Sequence, residues 1–284
     1  MAIKGELKSW QKSWAAARGI LVDKDGYVSD ESENLFLPLS VGFSAALSVA
    51  GGGELQNQRD RPAKFRALHS SVALAVNVFQ YWEDQAGPQL PAALGFDGQL
   101  NDIAIERQFP SGLRGTPPTL DVTVSVEPDH LIAIESKFTE WMMKKRAKLD
   151  DFSSKYLSAC PGHWDNCNLP NCQRLAADMA SGKELFRHLD VLQLLKHALG
   201  LQKNAAGRFS LLYLYYDYEG ESDIADLHRE EVSRFASIVD GALGFRGLSY
   251  QQLFSTLSEQ PGIDTSYLSY VRERYFPFEQ WRVN

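Results

Sequence analysis

Two short apolar runs rich in β-branched residues, spanning 119–126 and 131–137, constrain the fold more tightly than any other part of this chain. The first reads Thr119-Leu120-Asp121-Val122-Thr123-Val124-Ser125-Val126 and the second Leu131-Ile132-Ala133-Ile134-Glu135-Ser136-Lys137. Pro128, Asp129 and His130 interrupt them, so the pair predicts a β-hairpin. Successive strand side chains point to opposite faces, which puts Glu135 and Lys137 on one face and Ser136 on the other. Asp121 joins that face when the loop holds an odd number of residues. A loop of Pro128, Asp129 and His130 sets Val126 opposite Ile132 and Asp121 opposite Lys137. Glu135 then lies on the diagonal, roughly 7–8 Å from Asp121 between backbone positions. Two carboxylates at that separation can hold one metal ion between them.

The 284 residues, 44% of them hydrophobic, suffice for one large core. The expected organisation is an N-terminal extension over 1–60 packed on a domain over 61–284. No run of about 18 apolar residues offers a membrane span. The polar, Trp-bearing stretch 1–12 lacks the apolar core of a secretion signal, so a cytoplasmic address is expected. Three cysteines, odd in number and close together, fit a reducing compartment. A net charge of −7 counts against nucleic-acid binding, which usually shows as a basic surplus. Local clusters can still act inside an acidic whole: Lys144, Lys145, Arg146 and Lys148 form one, Arg107 and Arg114 another. The plainer reading of the lysine cluster is a solvated helix face.

Coarse patterning gives an order of elements. Trp10 and Trp14 mark a short amphipathic helix, Asp23-Lys24-Asp25-Gly26 a turn, and the apolar stretch 41–49 ends at Gly51-Gly52-Gly53, where the backbone is free to turn. A helix is expected over 62–82, with Leu68, Val72, Ala75, Val76 and Phe79 on one face. Strands are expected over 103–109, 120–126 and 131–138, the first two separated by a Gly- and Pro-rich loop at 110–118. Helices over 140–156 and 183–199, a strand over 209–216, and helices over 227–243 and 250–257 complete the chain.

This order, with Asp121 in the second strand and Glu135-Ser136-Lys137 in the third, resembles the PD-(D/E)xK nuclease superfamily, although Leu120-Asp121 stands where that family has Pro-Asp. Gly52-Gly53-Glu54-Leu55, Leu68-His69-Ser70-Ser71, Ala73-Leu74-Ala75-Val76-Asn77 and Ser249-Tyr250-Gln251-Gln252-Leu253-Phe254 are similar to its bacterial restriction-endonuclease-like branch. The resemblance implies an α/β (α+β) fold with a restriction-endonuclease-like core, an αβββαβ mixed sheet flanked by helices. It implies a DNA endonuclease of restriction, defence or repair type that uses Mg²⁺ or Mn²⁺. A non-catalytic nucleic-acid-binding protein and a metal-dependent RNA phosphodiesterase are the alternatives. Two cuts in a duplex often need two sites, which makes a homodimer an expectation.

Asp121, Glu135 and the Ser136 carbonyl are then the metal ligands, and Lys137 orients or deprotonates the attacking water and stabilises developing charge. Superfamily members often add an acidic ligand, for which Glu54 is the first candidate and Glu106 the second; a strand-edge pairing with Arg107 or Arg114 is the alternative for Glu106. Gln193 resembles a glutamine that some branches place near the metal. Ser70, Ser71 and Asn77 are candidate substrate contacts, with capping or buried hydrogen bonding as the alternative. His69 is read as packed or solvent-facing.

Cys160, His163, Cys167 and Cys172 give C-x2-H-x3-C-x4-C within an insert at 158–175. Four such ligands in a compact loop can hold a structural Zn²⁺, with free thiols as the alternative; an iron–sulfur cluster would ordinarily need a fourth cysteine.

Overall fold

The computed structural model describes residues 3–49, 54–143, 154–157, 159–205, 207–218, 220, 222–239, 241 and 243–276. Helices α1 (Ile3–Ala17), α2 (Val41–Val49), α3 (Ser71–Phe79) and α4 (Gln89–Ala93) lead into strands β1 (Leu100–Gln108), β2 (Thr119–Val126) and β3 (His130–Lys137). Helices α5 (Ser154–Leu157), α6 (Pro170–Ala180) and α7 (Val191–Asn204) precede β4 (Arg208–Tyr215). Then come α8 (Asp223–Val239), β5 (Arg246–Ser249), α9 (Tyr250–Glu259) and α10 (Thr265–Tyr275). The strands form one mixed sheet, flanked by helices, in the order β1-β2-β3-β4-β5. The expected order of helix, three strands, helix and strand is carried by α3, β1, β2, β3, α7 and β4. Among the described residues no helix is long and apolar enough to cross a membrane.

Hydrogen bonds from Phe109 N–H to the Pro118 carbonyl (2.9 Å) and from Glu127 N–H to the Gln99 carbonyl (3.0 Å) run β1 and β2 antiparallel. The turn between β2 and β3 is Glu127-Pro128-Asp129, one residue earlier than the sequence suggests, and it keeps the odd count. β3 and β4 are parallel, pairing Ile132 with Ser210, Glu135 with Tyr213 and Lys137 with Tyr215. Ile132, Ala133 and Ile134 in β3, and Leu211, Leu212 and Leu214 in β4, are all buried. Such unbroken apolar runs are what a parallel pair covered on both faces requires.

Several helices start later than periodicity suggests. In place of one helix over 62–82, a single turn at Lys64–Arg66 precedes α3. Asn34 Nδ2 donates to the carbonyls of Phe65 (2.6 Å) and Ala67 (3.0 Å), which a helix would need for itself, and Ser70 Oγ accepts from Ala73 N–H at 3.2 Å to begin α3 afresh. The helix expected over 183–199 is α7, which begins at Val191 behind the Asp190 cap. Upstream, the buried Glu231 carboxylate on α8 accepts the backbone N–H groups of Arg187 (2.6 Å), His188 (2.8 Å) and Leu189 (2.8 Å), which holds that stretch out of a helix. The helix expected over 140–156 appears as a turn at Glu140–Met142 and as α5. The turn expected at Gly51-Gly52-Gly53 and the basic cluster of Lys144, Lys145, Arg146 and Lys148 lie outside the described residues.

The chain forms two compact units. The first comprises 1–106, 124–128 and 248–284. There the Arg274 carbonyl accepts from Trp10 Nε1 (3.1 Å) and Gln11 Nε2 (2.6 Å), and Asn77 donates to the Asn34 carbonyl (3.0 Å) and the Tyr275 hydroxyl (2.9 Å). The second comprises 107–123 and 129–247 and holds Asp121, Glu135 and Lys137 together.

Candidate active site

Alternation along β3 sends Glu135 and Lys137 to one face, while the Ser136 N–H donates across to Asp121 Oδ2 at 2.6 Å. That bond fixes the Asp121 carboxylate beside the Glu135-Ser136-Lys137 triplet. The Lys137 ammonium donates to Glu135 Oε1 in a direct ion pair. The site is graded in depth: the Glu135 side chain is 1% exposed, that of Lys137 is 14% exposed, and Asp121 is half-buried. The outer two groups reach solvent and the inner one does not.

Burial alone would raise the Glu135 pKa, but the Lys137 ammonium and then His197 outweigh it and hold the carboxyl below its usual range. For Lys137 the signs reverse. Burial disfavours its charge, yet Glu135, Asp121 and Glu140 together push its pKa well above the ordinary lysine value. Lys137 is therefore an ammonium at any physiological pH. Glu140 was not singled out in the sequence; it accepts the Phe138 N–H at 2.8 Å and adds a third negative charge near Lys137.

His197 is the other residue that sequence reasoning missed. It sits on the buried face of α7 among Leu194, Leu195, Ala198 and Leu201, and its Nε2 lies 2.8 Å from Glu135 Oε2. The approach is close but off the line of a well-aligned hydrogen bond, and among the described residues His197 Nδ1 has no hydrogen-bond partner. The available signal was a lone histidine on an apolar helical face, four residues after Gln193 and so one turn along the same side. On β4, Tyr213 is the register partner of Glu135, and its hydroxyl shares a 3.0 Å hydrogen bond with His228 Nε2.

The remaining candidates are placed elsewhere. Glu54 pairs with Lys64 Nζ at 2.9 Å in the first unit. Glu106 occupies a left-handed backbone conformation within β1 at φ 52°, uncommon for a residue with a Cβ. Ser70 caps α3, Ser71 is its first residue, and Asn77 is buried in the hydrogen bonds described above. Arg107 stacks 5.2 Å over the Phe109 ring, and Arg114 is exposed, its carbonyl accepting from Lys155. Gln193 is half-buried at the start of α7.

Cys160, His163, Cys167 and Cys172 do not form a cluster of three or more ligands. Cys160 is exposed, Cys167 half-buried, and Cys172 is buried on α6 with its thiol pushed up to about 12 by burial. His163 Nε2 meets the Lys155 carbonyl at 2.9 Å. Among the described residues no three His, Cys, Asp or Glu side chains converge as a ready metal cage. What Asp121 and Glu135 present is a pair of carboxylates, which the Ser136 carbonyl would extend to three hard oxygen donors. That donor chemistry fits Mg²⁺ or Mn²⁺, which usually keep several waters and take few protein ligands.

Comparison with known proteins gives one family. The sequence model of the family described as Restriction Endonuclease associating with ARP matches residues 11–276. No curated protein and no solved structure matches the chain.

Proposed function

The chain belongs to the family described as Restriction Endonuclease associating with ARP, and from that premise we propose that it hydrolyses DNA phosphodiester bonds as a PD-(D/E)xK endonuclease dependent on Mg²⁺ or Mn²⁺, serving restriction, defence or repair. The observation that carries the reading is the meeting of Asp121, through the Ser136 N–H, with Glu135 and Lys137 at one half-open place on the sheet.

Hydrolysis adds water to phosphorus, breaks one P–O ester bond, and leaves a phosphomonoester and a hydroxyl. Asp121, Glu135 and the Ser136 carbonyl would hold the divalent cation, which supplies charge neutralisation at phosphorus and lowers the pKa of water. Lys137, held as an ammonium by three carboxylates, is suited to orienting the attacking water and to stabilising the extra negative charge of the transition state. It is poorly suited to acting as the base. Asp121, at the outer end of the cluster, is the carboxylate that an entering phosphate would meet first.

One observation favours the non-catalytic alternative. Glu135 is buried, with Lys137 ion-paired to one oxygen and His197 Nε2 2.8 Å from the other, as a purely structural cluster would have it. That reading expects DNA to be retarded without metal and to yield no products. The deciding experiment incubates the purified chain with DNA, RNA and a small phosphodiester, with and without Mg²⁺ or Mn²⁺. The proposal expects metal-dependent products from DNA. Products from RNA alone, or retardation of DNA without products in any metal, would replace it with one of the alternatives.

A further inference from the structure

We infer that His197 is a positioning residue: it holds one oxygen of the Glu135 carboxylate, so that the other alone is presented to Lys137 and to the cation. The inference rests on the nuclease reading of this site and adds to it a residue that touches neither substrate nor ion.

His197 does little else in the fold. Its side chain is 2% exposed, on a helix face otherwise built from leucine, valine, alanine and glycine. A leucine would fit that face without the desolvation cost of a polar ring. Among the described residues neither ring nitrogen makes a well-aligned hydrogen bond, and Nε2 lies 2.8 Å from Glu135 Oε2. Among the described residues, then, the imidazole caps no helix and ties down no loop, and its polar contact is with the candidate ligand.

The contact has a defined effect on Glu135. A carboxylate can turn about its terminal bond and exchange its two oxygens, and a divalent cation can take one or both. With Oε2 against His197 and Oε1 against Lys137, the oxygens are no longer equivalent. The helix that carries His197 is itself firmly seated. A Cβ on Gly200, three residues further along α7, would lie 2.3 Å from the Phe109 carbonyl oxygen, so the helix approaches that backbone as closely as glycine permits.

The test exploits which ring nitrogen makes the contact. A glutamine amide reaches about as far as Nε2, whereas an asparagine amide stops near Nδ1. Full-length wild type, His197→Gln and His197→Asn are titrated with Mn²⁺, free ion being counted from its electron paramagnetic resonance signal, and thermal unfolding in metal-free buffer checks each fold. His197→Gln is expected to bind Mn²⁺ close to wild type, and His197→Asn about 10–100-fold more weakly, the usual loss when a partner of a metal ligand is removed. Wild-type affinity in His197→Asn overturns the inference. So does an equal loss in both variants, which would mark a merely structural role. A wild type that binds no Mn²⁺ fails earlier, at the nuclease reading itself, and is told apart from those two outcomes by that fact.

Discussion

Buried on α8, His228 stacks on Trp141 with ring centroids 4.3 Å apart and shares its Nε2 with the Tyr213 hydroxyl, and burial, aided by the nearby charges of His188 and Arg229, lowers its pKa from 6.5 to about 3. A histidine lowered in the folded state stabilises the fold fully above its unfolded pKa. That contribution is lost as pH falls from 6.5 toward 3, because the unfolded chain takes up a proton that the native state refuses. At pH 5 the loss from this one group is about 2 kcal/mol, from 1.36 kcal/mol per pH unit. His130, lowered by burial and by Arg208, acts in the same direction below pH 6.5. Glu135 adds nothing there, since a carboxyl lowered below its usual range releases its stability only under about pH 4.5. Urea unfolding of wild type at pH 7 and pH 5 should show the drop, and His228→Gln should show one smaller by about 2 kcal/mol. Equal drops would mean that His228 is not held neutral. At this scale the shared face of Glu135 and Lys137 was legible from strand alternation, and that of Asp121 from the odd count of the turn between β2 and β3. His197, Glu140 and His228 were not, because their meaning comes from contacts between α7, the turn after β3, α8 and the sheet.

The elements that sequence placed best are those whose pattern is local. β2 and β3 lie within one residue of expectation, since β-branched runs bounded by a proline-bearing break leave little freedom. Helix starts were displaced because side-chain hydrogen bonds from distant residues set them: Asn34 claims carbonyls before α3, and Glu231 claims N–H groups before α7. Helix α6 was hidden in the cysteine insert, where Pro170 at its first turn is compatible with helix but also reads as a loop. The role of Gly200 was equally silent. In an isolated helix Gly200→Ala would stabilise by about 1 kcal/mol. Here the added methyl meets the Phe109 backbone, and such overpacking costs roughly 1–3 kcal/mol. Gly200→Ala is therefore expected to lower the melting temperature. A rise would show that α7 can withdraw from Phe109 without cost.

At the scale of the whole molecule, the chain joins an acidic composition to a site that gathers negative charge of its own. Asp121, Glu135 and Glu140 surround a single ammonium, an arrangement that suits a divalent cation and disfavours unaided binding of phosphates. The net charge of −7 then sits with the nuclease reading, because the ion brings the positive charge that the protein lacks. Family membership over 11–276 spans both compact units, so the partition of the chain into units was the part least visible in sequence: residues 248–276 return to the unit that holds 3–49. Nothing local in either stretch announces that return. The most direct test of the central claim is the rate at which supercoiled DNA is nicked in Mn²⁺ by wild type and by Lys137→Ala, with matched thermal unfolding of the two proteins. Removing one preorganised stabiliser of transition-state charge costs on the order of 10²–10³ in rate, so the variant should nick more slowly by about that factor. Nicking by Lys137→Ala at the wild-type rate would contradict the account.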